Sequence, residues 1–341
     1  MSAGARTFVR GDDPVSTAAS PRRLVAGTSG SDRAFVLGAR SIGVLVLVVT
    51  GGIGFFLAVQ AIPTLRRYGW SFFTETRWEP EVDVVGIAAV LLGTVSVAAV
   101  ALVFAFPLAL TTALYISEYA PPRLRSALIS LVDLMAAVPS IIYGLWGFFL
   151  LQPYAIGIAR WLHSYLGFLP FFRVDTDPHA AMWEQSRYTA SAFVAGLAVA
   201  MMVMPMASAV MREVFSQTPL GEREAALALG STRWGMIRAV VLPFGRGGII
   251  GGTMLGLGRA LGETIAVVLI LSPAFDLKIR VLEIGTSTVS ALIAGRFGEA
   301  TDAQLSALLT AGFVLFVITL AINSLAAVVV ARSRSGAGTD L

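Results

Sequence analysis

The 341-residue chain contains no cysteine, a single lysine (Lys278) and two histidines (His163 and His179), and only 13% of its residues are charged. Without cysteine there is no disulfide, thiolate metal site or thiol nucleophile. Both histidines fall in one polar connecting stretch, so a histidine-rich metal site is not expected. The lone lysine follows Phe275-Asp276-Leu277. That context is unlike the glycine-rich run before a P-loop lysine, so the chain cannot hydrolyse ATP through a P-loop of its own. The net charge of +4 gives no support to a nucleic-acid partner. A soluble domain carries about 25% charged residues, and this chain falls far short of that.

What the chain has instead is apolar length. It is 56% hydrophobic, with a mean hydropathy of +0.78. A helix that crosses a bilayer needs about 20 largely apolar residues. Runs of that kind lie near 38–60, 85–116, 127–151, 190–211, 246–272 and 305–331. The expectation is an all-α integral membrane protein with six transmembrane helices, embedded in a lipid bilayer. The second run is long enough to tilt or to leave the lipid at one end. Pro107 and Pro139 are expected to kink their helices.

Residues 1–37, rich in Ser, Gly, Pro, Ala and Arg, read as a largely disordered tail. Residues 38–331 read as the membrane domain and 332–341 as a short C-terminal tail. The first apolar run is too long and starts too late for an ordinary signal peptide, although Ala58 and Ala61 imitate a cleavage spacing. Of the 25 basic residues, fifteen fall on the side that holds the N-terminus, nine on the other, and Arg259 lies within a span. This bias puts both termini in the cytoplasm. Trp70, Trp78, Trp161 and Trp183 in the outer loops suit an interfacial belt. The stretch 278–297 reads as an interfacial helix.

Between the fourth and fifth runs stands EREAALALGSTRWGMIRAVVLP, residues 222–243. Thr218-Pro219 supplies a hydroxyl N-cap and a proline at the first helical position. Glu222 and Glu224 sit where the helix dipole favours anions. Gly230 suits a left-handed C-terminal cap. Ser231 or Thr232 can cap a second helix that ends before Pro243. A rigid hairpin over 218–243 with a small alanine face is expected, a shape suited to a groove on another protein. The plain alternative is a loop that only joins two spans.

The fifth run reads GRGGIIGGTMLGLGRALGETIAVVLILS. Gly248, Gly252, Gly256, Ala260 and Thr264 recur every four residues and form a ridge for close helix packing. Arg259 lies 13 residues after Arg246, about 20 Å up a helix. A charge at that depth costs at least about 2.5–3.5 kcal/mol on insertion scales and usually marks a pathway. On a continuous helix Glu263, at i+4, shares its face. The planar guanidinium suits a tetrahedral oxyanion. The carboxylate can hold Arg259 in place or accept a proton-bearing substrate such as hydrogen phosphate, a donor that sulfate lacks. A structural ion pair between helices is the alternative. Asp133, near an interface, is expected to pair locally with Arg123 or Arg125. Glu118 and Tyr119 lie at a turn with no assigned role.

Two resemblances bear on these residues. Glu224-Ala225-Ala226, Gly230 and Val240-x-Leu242-Pro243 resemble the EAA-x3-G-x9-I-x-LP signature of ABC importer permeases, with valine in place of isoleucine. GLGRALGETIAV, ALYISEYAPP, AAVPSIIYGLWGFF and SALIAGRFGEA resemble the PstC-type permeases of phosphate-specific ABC importers. The resemblance implies a type I (MetI-like) permease fold and a transport subunit rather than an enzyme. It implies that Glu224, Ala225, Ala226, Gly230, Leu242 and Pro243 dock an ATPase, and that Arg259 and Glu263 line the phosphate path. It implies a PstA-type second permease, a PstB-type ATP-binding dimer and a PstS-type binding protein as partners. ATP and Mg would be held by those partners, with no cofactor in this chain. The rival readings are a permease for sulfate or molybdate, an ion-coupled secondary transporter, and a non-transporting scaffold.

Overall fold

A computed structural model describes residues 30–175 and 185–333. The helices and strands, in chain order, are α1 (Gly30–Tyr68), α2 (Ser71–Thr74), β1 (Trp78–Glu79), β2 (Val84–Val85), α3 (Ala88–Leu114), α4 (Pro122–Ala137), α5 (Ser140–Trp146), α6 (Gln152–Leu166), α7 (Ala192–Ser216), α8 (Leu220–Ala228), α9 (Arg233–Met236), α10 (Leu242–Phe244), α11 (Arg246–Gly262), α12 (Ile265–Ile270), α13 (Val289–Arg296) and α14 (Asp302–Ser333). π-helical turns over Tyr115–Tyr119, Gly147–Leu151 and Ile237–Val241 extend α3 and join α5 to α6 and α9 to α10.

The chain divides into two units at Gly52. The described part of the first, residues 30–52, is the opening stretch of α1, exposed at every position. Residues 30–37 are therefore helical rather than tail. The expectations for 1–29 and 334–341, and those on His179 and Trp183, lie outside the described residues.

The second unit is built around α7. Alanines at 101, 105, 109 and 113 put a buried, nearly smooth stripe along α3, and α3 and α7 form the most extensive helix pair. The glycine ridge of α11 meets α7 from another side. A methyl group at Gly252 would stand 2.8 Å from the Ala207 carbonyl oxygen, and one at Gly256 2.6 Å from Val203. Small residues let the backbones approach this closely, as dispersion packing between membrane helices requires. Thr264 lies past the end of α11, so the ridge stops at Ala260. Large apolar side chains such as Phe149, Leu150, Ile158 and Leu325 face outward, the arrangement expected of a surface solvated by lipid.

Among the described residues five helices are long and apolar enough to cross a membrane, or six when the bent pair Arg233–Phe244 with Arg246–Gly262 is counted as one span. The third span differs from the expected 127–151. Pro139 does more than kink it. The helix breaks at Val138-Pro139, α4 becomes a separate amphipathic helix, and the span runs Ser140–Leu166. The proline ring and the extended bias of the residue before it account for the break. Trp161 and His163 thus lie on α6, not in a loop. Pro107, by contrast, sits within an unbroken α3.

The expected interfacial helix shrinks to α13. Residues upstream of it are irregular and tied to neighbouring segments: the Phe193 amide donates to Val281, Val281 to Phe171 and Ile284 to Arg187. A turn at Arg280–Glu283 interrupts the stretch, and left-handed Gly285 (φ 92°) ends it. Arg280 is hydrogen-bonded to Asp175, whose carboxyl it holds below the usual carboxylate range. Trp78 is buried in a cluster with Phe72, Val85, Val289 and Leu308, so of the expected aromatic belt Trp70 and Trp161 stand exposed.

Candidate functional site

Arg259 and Glu263 do not share one helix. α11 ends at Gly262, and Glu263 has extended backbone (φ −66°, ψ 131°) before α12 begins at Ile265. The expected i,i+4 placement fails for that reason. Leu261-Gly262 supplies a weak helix end, and the Glu263 side chain offers a competing partner to the freed amides. Its Oε1 accepts from the Ala266 amide at 3.2 Å. Glu263 is buried at 8% exposure, while Arg259 is exposed. No ion pair to Arg259 forms among the described residues. The carboxylate is thus fixed through one oxygen and keeps the other without a protein partner among them.

The break after α11 meets the break at Pro139 here. α12 packs on α5, and a methyl group at Gly144 would stand 2.8 Å from the Ala266 Cα. One residue earlier, Tyr143 is close enough to Arg259 for a Coulombic interaction. Its hydroxyl donates to the Met135 carbonyl at 2.8 Å, a group left near the end of α4 by the Pro139 break. Broken spans that bring backbone ends and charged side chains together in the membrane interior form the usual ion and substrate sites of transporters. Tyr143 was not legible as a site residue. Its position, four residues after the helix-breaking proline, was the available signal.

The hairpin forms largely as expected. Gly230 is left-handed (φ 84°). Its amide donates to Leu227 at 2.9 Å and that of Ser231 to Ala226 at 3.3 Å, the paired bonds of a Schellman cap. Thr232, not Ser231, caps α9, accepting from the Gly235 amide at 3.1 Å. At the other end Pro219 takes the cap position and Thr218 is buried without capping. The second helix does not stop before Pro243. The π turn feeds α10, which carries Leu242-Pro243 as its first residues and runs to Phe244. The wider π turn just before Pro243 shifts the backbone ladder and accommodates a residue with no amide to give.

Met236, Ile237 and Val241 are buried with Ala113, Met211 and Phe215 and seat the hairpin. Of the expected docking residues, Glu224, Ala225, Gly230 and Pro243 are exposed, and Ala226 and Leu242 turn half inward. Leu229 at 89% exposure and Trp234 at 56% add apolar surface beside them. Two ion pairs were not foreseen. Asp133 pairs with Arg212 of α7 at 3.7 Å rather than with Arg123 or Arg125, and Glu118 pairs with Arg223 at 3.2 Å.

Residues 105–335 match the model of the family described as binding-protein-dependent transport system inner membrane component. Phosphate transport system permease protein PstC 2 of Mycobacterium tuberculosis is 39% identical over 309 residues, covering 89% of this chain and 93% of that protein. PstC of Xylella fastidiosa is 40% identical over 269 residues, 79% and 81% of the two chains. PstC of Haemophilus influenzae is 36% identical over 295 residues, 86% and 91%. Among solved structures, a chain of the bacterial alginate ABC transporter in complex with an alginate-bound periplasmic protein is similar in fold. Its TM-score is 0.55 at 17% identity, over 86% of this chain and 93% of that one. The chain belongs to the binding-protein-dependent transport system inner membrane component family, within its PstC phosphate transport permease branch.

Proposed function

We propose that this chain is a permease subunit of an ATP-driven importer that moves inorganic phosphate across the cytoplasmic membrane. The carrying observation is the meeting of two helix breaks, where α11 ends with an exposed Arg259 in its last turn and a buried Glu263, just past that end, keeps one carboxylate oxygen to spare. The names of the PstC relatives supply the substrate. Phosphate oxygens take the guanidinium fork. The hydroxyl of hydrogen phosphate donates a hydrogen bond to the unpartnered Glu263 oxygen, a donor that sulfate lacks.

A PstA-type second permease would lie against the exposed side of Arg259, so that the path runs between the two chains. A PstB-type ATPase dimer, holding ATP and Mg, would take the hairpin through Glu224, Ala225, Ala226, Gly230, Leu242 and Pro243. A PstS-type binding protein would deliver phosphate from outside. Both termini and the hairpin then lie in the cytoplasm. Closure of the ATPase dimer would rock the paired permeases and present the site to each side in turn.

The deciding experiment measures phosphate uptake by the assembled complex in vesicles, with arsenate and sulfate as competitors. Inhibition by arsenate, and loss of uptake in Arg259→Ala with assembly intact, are expected. Inhibition by sulfate alone, or full uptake in that variant, would overturn the reading.

A further inference from the structure

Glu118 and Arg223 are buried charges that the transport site does not use. Glu118 lies in the π turn that ends α3, with its side chain 4% exposed, and Arg223 lies on α8 at 17%. Arg223 Nη2 stands 3.2 Å from Glu118 Oε1 and donates to the Phe215 carbonyl of α7 at 2.6 Å. One guanidinium therefore ties the hairpin to the ends of the two helices that form the heart of the fold. On α8, Arg223 and Ala226 turn inward while Glu222, Glu224, Ala225 and Ala228 face out.

The pair is poorly made as a stabilising device. The Arg–Glu contact is off-line for a hydrogen bond, and Arg223 Nε, Glu118 Oε1 and the adjacent Thr218 Oγ1 are all buried without a hydrogen-bond partner. Buried ions in that condition stabilise a fold less than apolar side chains of the same volume. What the charges supply is direction. Apolar contacts at Met236, Ile237 and Val241 let a hairpin slide or pivot, whereas a guanidinium hydrogen-bonded to the Phe215 carbonyl and attracted to the Glu118 carboxylate opposes both.

We propose that Arg223 and Glu118 are a positioning pair that carries displacement of the docking hairpin into α3 and α7. This rests on the docking reading of the hairpin given above. It assigns the pair no contact with substrate or ATP.

The test uses the whole complex in proteoliposomes, with phosphate moved per ATP hydrolysed as the readout. Glu118→Gln keeps the shape and removes the charge. The ATPase subunit is expected to stay bound at wild-type stoichiometry while phosphate per ATP falls about tenfold, within the ordinary range of a coupling energy. Glu118→Asp should recover part of the loss. Because the chain lacks cysteine, spin labels at Tyr119→Cys and Gly221→Cys report the hairpin–α3 distance directly, and Glu118→Gln should broaden it. Unchanged phosphate per ATP with an unchanged distance distribution would overturn the proposal. So would loss of the ATPase subunit from Glu118→Gln, which would make the pair part of docking alone. Failure of the docking reading looks different: Glu224→Arg would then keep its ATPase while the wild-type label distance stays narrow.

Discussion

The Tyr143 hydroxyl donates to the Met135 carbonyl at 2.8 Å and so bridges the break that Pro139 makes between α4 and α5. The next residue, Gly144, packs on Ala266, whose amide holds Glu263, so the two breaks are one local structure. Tyr143→Phe removes the bridge and leaves the Met135 carbonyl with the Val138 amide alone, a loss of about 0.5–1.5 kcal/mol. Lower thermal stability of the purified complex, with reduced uptake, is the expected result.

Glu263 has a structural function as well as the proposed chemical one, and two substitutions separate them. Glu263→Gln keeps an oxygen for the Ala266 amide and should leave the complex assembled while phosphate uptake fails. Glu263→Ala also removes the cap, which costs about 0.5–2 kcal/mol, so its melting temperature should fall below that of the Gln variant. Normal uptake by Glu263→Gln would sink the site assignment.

Gly230 occupies a backbone region that costs an L-residue about 1–2 kcal/mol. In Gly230→Val the hairpin must relax out of its cap, and the ATPase subunit should wash off isolated membranes. Thr232→Ala removes a different cap on the same hairpin and should weaken retention to a smaller degree. Retention equal to wild type in both would show that the docking surface lies elsewhere.

Gly252 faces the Ala207 carbonyl oxygen at 2.8 Å, so Gly252→Val must push against backbone that cannot rotate away. Overpacking of this kind costs about 1–3 kcal/mol or more. Poor yield and early melting in detergent are expected, against near-normal behaviour of Gly221→Val, where nothing stands in the way.

The Asp175–Arg280 link predicts a pH response outside the membrane. Arg280 depresses the Asp175 carboxyl in the folded chain. A depressed carboxylate stabilises fully above its unfolded value of about 3.9 and loses that contribution as pH falls through the lower folded value. Exchange at the Val281 amide, corrected for its intrinsic pH dependence, should therefore stay flat from neutral pH to mild acid and rise in strong acid. Asp175→Asn should show the raised rate throughout.

The long apolar runs were legible because twenty oily residues have few other uses, and the hairpin because Gly230 and Thr232 are caps with a local mechanism. The breaks were not legible. Pro107 and Pro139 look alike in sequence, and only the tertiary surroundings let one stay inside a helix while the other ends it. The end of α11 at Gly262 was hidden for a related reason. Apolar periodicity continues through Thr264 and Ile265, and it took the capping reach of Glu263 to end the helix. Partners of charges were equally out of reach: Asp133 lies close in sequence to Arg125 yet pairs with Arg212, far along the chain.

The Gly144–Ala266 contact leaves no room for even one carbon between α5 and α12. Two creased rods pressed together at their creases cannot bend separately. Any stroke that flexes the chain beyond Gly262 must flex the chain beyond Pro139 with it, so Glu263 and Tyr143 would move together.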